Sequence, residues 1–76
     1  MSSKPYNGHP SWNAWNVSLW IGNDEGIYRF ALDCIERHKR LYAAAAEFIG
    51  AMPDKTPDGA RYSMTSVMHA LRGLKE

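Results

Sequence analysis

The stretch SWNAWNVSLW at residues 11–20 holds all three tryptophans of a 76-residue chain, together with two asparagines. Ser11 is a good N-cap residue, so a helix is predicted to begin there. This helix is predicted to run to Ile21 and to end at Gly22, because glycine is favoured just after a helix. On a helical wheel the helix is apolar on nearly all sides, which indicates that it has neighbours on more than one side.

The three tryptophans could form a core or a contact surface. Trp12 and Trp20 are predicted to form the hub on which the other helices pack, because each indole ring buries about 150–250 Å². Leu19 and Val17 complete that hub. Trp15 lies at the edge of the apolar sector and is predicted to be partly exposed.

Asn16 projects between Trp12 and Trp20, inside the apolar sector. A buried amide without hydrogen-bond partners costs about 1–3 kcal/mol. Asn16 is therefore predicted either to find partners within the fold, at a loop or a helix terminus, or to reach the surface. The favoured interpretation is that it fixes the docking of a backbone segment near Gly22, and ligand binding is the alternative.

A second, long amphipathic helix is predicted to open at Asn23 or Asp24 and to end by Met52, because Pro53 cannot continue it. The residues of one face, apolar except for His38, recur at alternating steps of four and three, which is the spacing of a helical face. They are Ile27, Ala31, Cys34, His38, Leu41, Ala45, Phe48 and Met52. This face is predicted to form the core, or the core together with a dimer or partner seam.

The C-terminal part of the chain predicts a loop and a short helix. Thr56-Pro57-Asp58-Gly59 is predicted to be a tight turn with proline at its second position. A third helix is predicted to begin near Ser63 or Thr65. No strand-like alternation is present in the sequence. The predicted fold class is therefore all-α, a small helical domain of short helix, long amphipathic helix and short helix.

Length and composition restrict the class of protein. A chain of 76 residues makes one domain at most. Residues 1–10 are predicted to be a flexible N-terminal arm and residues 11–76 a single helical domain. A hydrophobic content of 45% and a net charge of +1 fit a folded domain. That charge argues against an acidic mimic of nucleic acid and against a strongly basic nucleic-acid binder.

The number of cysteines and the hydropathy of the chain bear on its expected cellular location. One cysteine cannot close an internal disulfide, which suits a reducing interior. No apolar run approaches the roughly 20 residues that span a bilayer, so no membrane partner is expected. Residues 1–10 lack the apolar region of a signal peptide. The expected location is the cytoplasm.

Cys34 and His38 are the residues whose spacing best suits a metal. They lie one helical turn apart, and His69 could approach them from the last helix. A closed zinc site needs four ligands and no second Cys/His pair is present, so no metal is predicted. The favoured interpretation is a buried thiol beside a histidine at the core margin. No nucleophile elbow, phosphate loop or H-E-x-x-H motif is present, so neither enzyme activity nor a cofactor is predicted.

The basic run at residues 36–40, ERHKR, points in several directions when placed on one helix. A nucleic-acid site would need these charges on one surface, ideally with exposed aromatic rings. Nucleic-acid binding is therefore a less favoured alternative to protein binding. The pairs Asp33 with Arg37 and Glu36 with Arg40 are predicted to form ion pairs between successive helical turns.

WNVSLWIGNDEGIY at residues 15–28 resembles the motif W-N-x-x-L-W-x-x-N-D/E-x-x-x-Y of small uncharacterised phage and prophage proteins. The turn TPDG at residues 56–59 and Arg72-Gly73-Leu74 are similar to the C-terminal part of the same proteins. The chain departs from them at Tyr62-Ser63-Met64, where a more acidic, tryptophan-containing stretch is expected. The resemblance implies a phage or mobile-element accessory protein and supplies no activity.

Such small, non-enzymatic proteins commonly bind a host protein, so the resemblance implies a host protein complex as partner. The specific expectation is an anti-CRISPR-type inhibitor of host defence that acts in the host cytoplasm by occlusion. Exposed aromatic residues and arginines are the expected anchors. The partner-binding candidates are Tyr6, Trp15, Arg29, Arg37, Arg40 and Tyr62. The alternatives are a small nucleic-acid-binding regulator and a phage structural or assembly protein, and a homodimer through the long helix is compatible with each.

Overall fold

The computed structural model describes residues 11–75, which fold into four α-helices. They are α1 (Trp12–Asn23), α2 (Glu25–Arg37), α3 (Leu41–Ala51) and α4 (Met64–Lys75). Within residues 11–75 there is no strand, and one isolated antiparallel bridge joins Lys55 to Arg61. The all-α prediction is confirmed. The prediction of short, long and short helices is wrong, because the long helix is two helices of ordinary length.

α1 begins where the sequence predicts and ends two residues later than predicted. The Ser11 hydroxyl accepts a backbone N–H of the first turn at 3.1 Å, which confirms it as the N-cap. Gly22 lies inside the helix, because Asp24 is the residue that ends it. The Asp24 N–H donates to the Trp20 carbonyl at 3.1 Å, while the Asp24 carboxylate accepts the N–H of Ile27 at 3.0 Å and so caps α2. One residue thus makes the corner between the two helices.

Residues 38–40 interrupt the predicted long helix. His38 and Arg40 have extended backbones, with φ/ψ of −126°/137° and −102°/135°. No proline or glycine causes the break. Glu47 of α3 instead contacts both Arg37 and His38, across the corner. The continuous helix was predicted because the hydrophobic spacing runs on through the corner, whereas the contact at the corner comes from a residue nine to ten positions further along.

The apolar face of the predicted long helix lies inside the folded chain. Ala31 and Cys34 of α2 and Ala45 and Phe48 of α3 are fully buried. The homodimer seam is predicted for one continuous helix, and residues 38–40 divide that helix into α2 and α3. The homodimer itself stays a prediction.

The chain between α3 and α4 contains the predicted tight turn. The Thr56 carbonyl accepts the N–H of Gly59 at 2.9 Å, with Pro57 at the second position, which confirms the turn. The Thr56 N–H also donates to the Ala60 carbonyl at 2.8 Å. Gly59 has φ of +98°, a conformation that side-chain-bearing residues rarely adopt.

α4 begins at Met64, between the two residues that the sequence suggested. The hydroxyl of Ser63 accepts the N–H of Ser66 at 3.2 Å and so caps the helix. Ser66, Val67, Ala70 and Leu71 form its buried face.

Phe48 lies in the core that the four helices enclose. Its ring stacks on Phe30 of α2 with centroids 5.6 Å apart, and it meets the ring of Tyr62 edge-on at 5.9 Å. Such aromatic pairs add about 0.5–1.5 kcal/mol to the free energy of area burial.

The predicted tryptophan hub is wrong for Trp12, which is 40% exposed. α1 instead buries Ala14, Val17 and Ile21, and Trp20 is only half-buried. Because α1 is apolar on nearly all sides, the wheel could not decide which side faces the core.

Within residues 11–75, no helix combines the length and the apolar character that crossing a membrane requires.

Candidate protein-binding surface

α1 presents three faces of different chemistry. Its core face consists of the small and medium-sized apolar residues Ala14, Val17 and Ile21. Its polar face carries the hydrogen-bonding residues Asn13, Asn16 and Trp20. The remaining sector, here called the outer face, consists of Trp12, Trp15, Ser18, Leu19 and Gly22. At 100° per residue these three sets occupy separate sectors of the helix.

Asn16 uses both ends of its amide to hold the turn that follows α3. It is 1% exposed. Its Nδ2 donates to Oδ2 of Asp58 at 2.9 Å, and its Oδ1 accepts the hydroxyl of Thr56 at 2.6 Å. The Thr56 hydroxyl in turn accepts the N–H of Ala60 at 3.0 Å. The prediction that Asn16 is satisfied within the fold and docks a backbone segment is confirmed, and that segment is the turn at residues 56–60.

Asn13 and Trp20 hold the same loop on either side of Asn16. The Asn13 amide accepts the N–H of Arg61 at 2.7 Å and donates to its carbonyl at 2.8 Å, as a neighbouring strand would. Asn13 also donates to the Ser66 hydroxyl at 2.7 Å. The indole N–H of Trp20 donates to Oδ2 of Asp58 at 3.0 Å. We call this set of contacts from Asn13, Asn16 and Trp20 to the α3–α4 loop the loop clamp.

The loop clamp also stabilises a charge. The hydrogen bonds from Asn16 and Trp20 hold the pKa of the Asp58 carboxyl below its ordinary value of 3.8, against a smaller opposing effect of burial. The carboxylate is therefore ionised at neutral pH. The two stretches that carry the resemblance, residues 15–28 and 56–59, meet at this carboxylate.

The outer face of α1 is an apolar surface that the other residues of 11–75 leave partly uncovered. Trp12 is 40% exposed, and Trp15 and Leu19 are half-buried, so the prediction of a partly exposed Trp15 is confirmed. A shallow depression of about 230 Å³ is lined by Trp15, Ser18, Leu19, Gly22 and Asn23. The Ser18 hydroxyl is buried, yet no residue within 11–75 pairs with it. Buried hydroxyls normally have a partner, so this atom departs from the usual pattern.

The prediction that Tyr62 is an exposed anchor for a partner is wrong. It is 4% exposed and packs against Phe48, so it belongs to the core. Burial also raises the pKa of its hydroxyl, with a smaller contribution from Asp24. Tyr6 lies outside the described residues.

The candidate arginines lie on α2 and at its junction with α3. Arg29 is exposed and pairs with Glu25 at 2.8 Å on the same helix. Arg40 is exposed and precedes α3 without making a side-chain cap. Because Arg40 lies outside α2, the predicted helical pair with Glu36 is wrong. These arginines do not share a helix face with Trp15.

Arg37 makes the corner between α2 and α3 rather than the predicted pair with Asp33. Its Nη2 donates to Oε2 of Glu47 at 2.5 Å and its Nε to Oε1 at 3.3 Å, while His38 lies 2.7 Å from Oε1. The bonds from Arg37, and then from His38, hold the pKa of the Glu47 carboxyl below its ordinary value of 4.5. Cys34 is buried 3.9 Å from Arg37, and burial raises the pKa of its thiol. Among residues 11–75, no three histidine, cysteine or acidic side chains are grouped to hold a metal ion.

The fold defines a class: a small four-helix domain whose first helix is clamped to a distant loop and leaves a tryptophan-bearing face in solvent. The chain belongs to the family of unknown function DUF7249, whose model matches residues 2–71. That match covers both partners of the loop clamp. Comparison with curated proteins and with solved structures found no match.

Sequence reasoning found Asn16 and Trp15 but missed Asn13, Ser18 and Asp58. A signal was present for Asn13, because Asn13, Asn16 and Trp20 follow the i, i+3, i+7 spacing of one helical face. The role of Asp58 carried no local signal, since turn sequences favour aspartate whether or not it has a distant partner.

Proposed function

We propose that the protein is a small non-enzymatic binding protein that covers a surface of a host protein complex with the outer face of α1. The observation that carries the proposal is that this face keeps Trp12, Trp15 and Leu19 partly exposed, and none of them belongs to the core cluster. Tryptophan is enriched among the residues that dominate interface energetics.

The size of the surface depressions supports a protein partner rather than a small substrate. The two depressions described have volumes of about 230 and 260 Å³. Pockets that bind drug-sized ligands span about 300–1,000 Å³. An exposed helix face with aromatic residues can instead add its area to a larger interface.

The specific form that we propose is an anti-CRISPR-type inhibitor acting in the host cytoplasm. The resemblance of residues 15–28 to phage proteins supports a role against host defence. A net charge of +1 favours occlusion of a protein surface over mimicry of DNA charge.

The binding surface can be tested with matched variants. Capture from a host extract should recover a protein complex, and that complex should bind the purified protein at fixed stoichiometry. Trp15→Ala should weaken this binding about thirtyfold, the effect of removing one interface hot spot. Tyr42→Ala is the control, because Tyr42 is a 63% exposed aromatic residue on α3. If folded Trp12→Ala and Trp15→Ala variants both bind as well as the unaltered protein, the outer face is not the interface.

The anti-defence role can be tested in cells. Phage should plate with higher efficiency on hosts that have an active CRISPR–Cas system and express this protein. The Trp15→Ala variant should abolish this increase in plating efficiency. Unchanged plating on hosts that carry the captured complex would rule out this form of the proposal.

A further inference from the structure

A groove of about 260 Å³ lies where the end of α3 meets the following loop. It is lined by the apolar residues Ile49, Met52 and Tyr62 and by the charged residues Asp54, Lys55 and Arg61. The apolar residues are partly or fully buried and form its floor, whereas the charged residues are exposed and form its rim. We call it the Lys55–Arg61 groove.

The two cations of the groove stand opposite each other. Lys55 and Arg61 form the isolated antiparallel bridge, and residues in such a pair have Cβ atoms about 4.5–5.5 Å apart on one face. Like charges in this arrangement repel. Neither side chain forms an ion pair with any residue of the described part of the chain. A bound anion would relieve this repulsion and gain charge-assisted hydrogen bonds from both cations.

The groove is also preorganised. The loop clamp holds the Arg61 backbone through both the N–H and the carbonyl, at 2.7 and 2.8 Å from Asn13. The N–H of Tyr62 donates to the Asp54 carbonyl at 3.1 Å across the loop. The backbone that carries both cations is thus fixed before a ligand arrives, which lowers the ordering cost of binding.

We propose that the Lys55–Arg61 groove binds an acidic peptide segment of the partner protein. Carboxylates of that segment pair with Lys55 and Arg61, and a neighbouring apolar side chain packs on Ile49 and Tyr62. The inference rests on the proposed function only in taking the partner to be a protein.

A peptide fits the groove better than nucleic acid does. A polyphosphate backbone would leave the apolar floor of the groove unused. The groove volume suits an apolar side chain rather than a whole drug-sized molecule.

The test is a titration of the isotope-labelled full chain, followed by the backbone amide signals. The probe is a capped octapeptide of alternating glutamate and leucine. Amide shifts should concentrate at residues 49–62. Lys55→Glu and Arg61→Glu should each weaken binding at least about tenfold, because each removes a charge-assisted contact. Arg72→Glu is the matched control, because Arg72 is an exposed arginine on α4 outside the groove.

Several outcomes would overturn the proposal. One is a saturating titration that leaves residues 49–62 unshifted, and another is an equal loss of binding in Arg72→Glu. Tighter binding of a short single-stranded DNA than of the peptide at the same amides would also overturn it, in favour of a nucleic-acid site. The proposed function is tested separately. If Trp15→Ala loses capture of the complex and keeps the peptide-induced amide shifts, the results support both the proposed function and the groove. If the peptide binds at the groove but Trp15→Ala has no effect on capture, only the role of the outer face is ruled out.

Discussion

Asn16 shows how one buried polar residue determines the position of a distant loop. Its amide has a donor contact to Asp58 and an acceptor contact from Thr56, which lie 42 and 40 positions away in the chain. An apolar residue in its place would fill space without specifying which turn docks there. The energetic value of this residue is therefore tied to its partners rather than to the volume that it fills.

Asn16→Ala is predicted to lower the free energy of unfolding by about 2–4 kcal/mol, because it removes two hydrogen bonds and leaves the Thr56 hydroxyl without its acceptor. Urea denaturation followed by circular dichroism measures the change. Asn23→Ala is the control in the same helix, since Asn23 is exposed, and it should stay within about 0.5 kcal/mol of the unaltered protein. Equal midpoints for the two variants would contradict the role assigned to the loop clamp.

At the scale of elements, the corner at residues 38–40 is the feature that shapes the domain. It lets α2 and α3 fold back on each other, so that Phe48 can stack on Phe30. The corner has no side-chain cap at Arg40. Glu47 contacts both Arg37 and His38 across this corner.

Substitution of Lys39 by proline tests whether residues 38–40 form a corner or continue a helix. The preceding residue, His38, has the extended backbone that a following proline requires. Lys39→Pro is therefore predicted to change the free energy of unfolding by no more than about 1 kcal/mol. Asp33→Pro, in the middle of α2, should cost about 3 kcal/mol or more. Thermal unfolding of both variants provides the comparison, and a Lys39→Pro loss as large as that of Asp33→Pro would argue for an unbroken helix.

The sequence predicts those elements whose causes are local. The Ser11 cap, the Asp24 cap and the 56–59 turn each depend on residues within four positions, and all three are confirmed. At the break at residues 38–40 the contacts come from Glu47, nine to ten positions away, and helical spacing carries no information about such contacts.

In the candidate site, too, local features could be predicted and features that depend on tertiary packing could not. The partial exposure of Trp15 and the internal partners of Asn16 could be predicted from the wheel, because a buried amide must be paired. The exposure of Trp12 and the burial of Tyr62 could not be predicted from it. They depend on which side of α1 packs against α2 and α4, and on the packing of Tyr62 against Phe48, which no local pattern specifies.

At the scale of the whole molecule, two carboxylates join different helices and loops. Asp58 connects the α3–α4 loop to α1, and Glu47 connects α3 to the end of α2. Both groups have a pKa below the ordinary value in the folded protein, because they accept hydrogen bonds there. The ionised forms therefore stabilise the fold.

The stability of the protein is predicted to fall in acid. The contribution of each carboxylate is fully present above its ordinary pKa, 3.8 for Asp58 and 4.5 for Glu47, and is lost as the pH falls through the lower pKa of the folded state. Urea midpoints measured from neutral pH to below pH 3 should show this loss. The double variant Asp58→Asn/Glu47→Gln should be less stable at neutral pH and should lose less in acid. An unchanged acid loss in that variant would assign the effect to other carboxylates.

The loop clamp has a consequence for the order in which the chain folds during synthesis. α1 is made before the loop, because Arg61, which pairs with Asn13, lies 48 residues further along the chain. Closing a segment of that length costs about 3 kcal/mol of chain entropy beyond a length-independent term. Until then the side-chain amides of Asn13 and Asn16 have only water as hydrogen-bond partners, and the tryptophans of α1 have no neighbouring loop. The side-chain contacts of α1 with the loop therefore form only after residues 56–61 have been made.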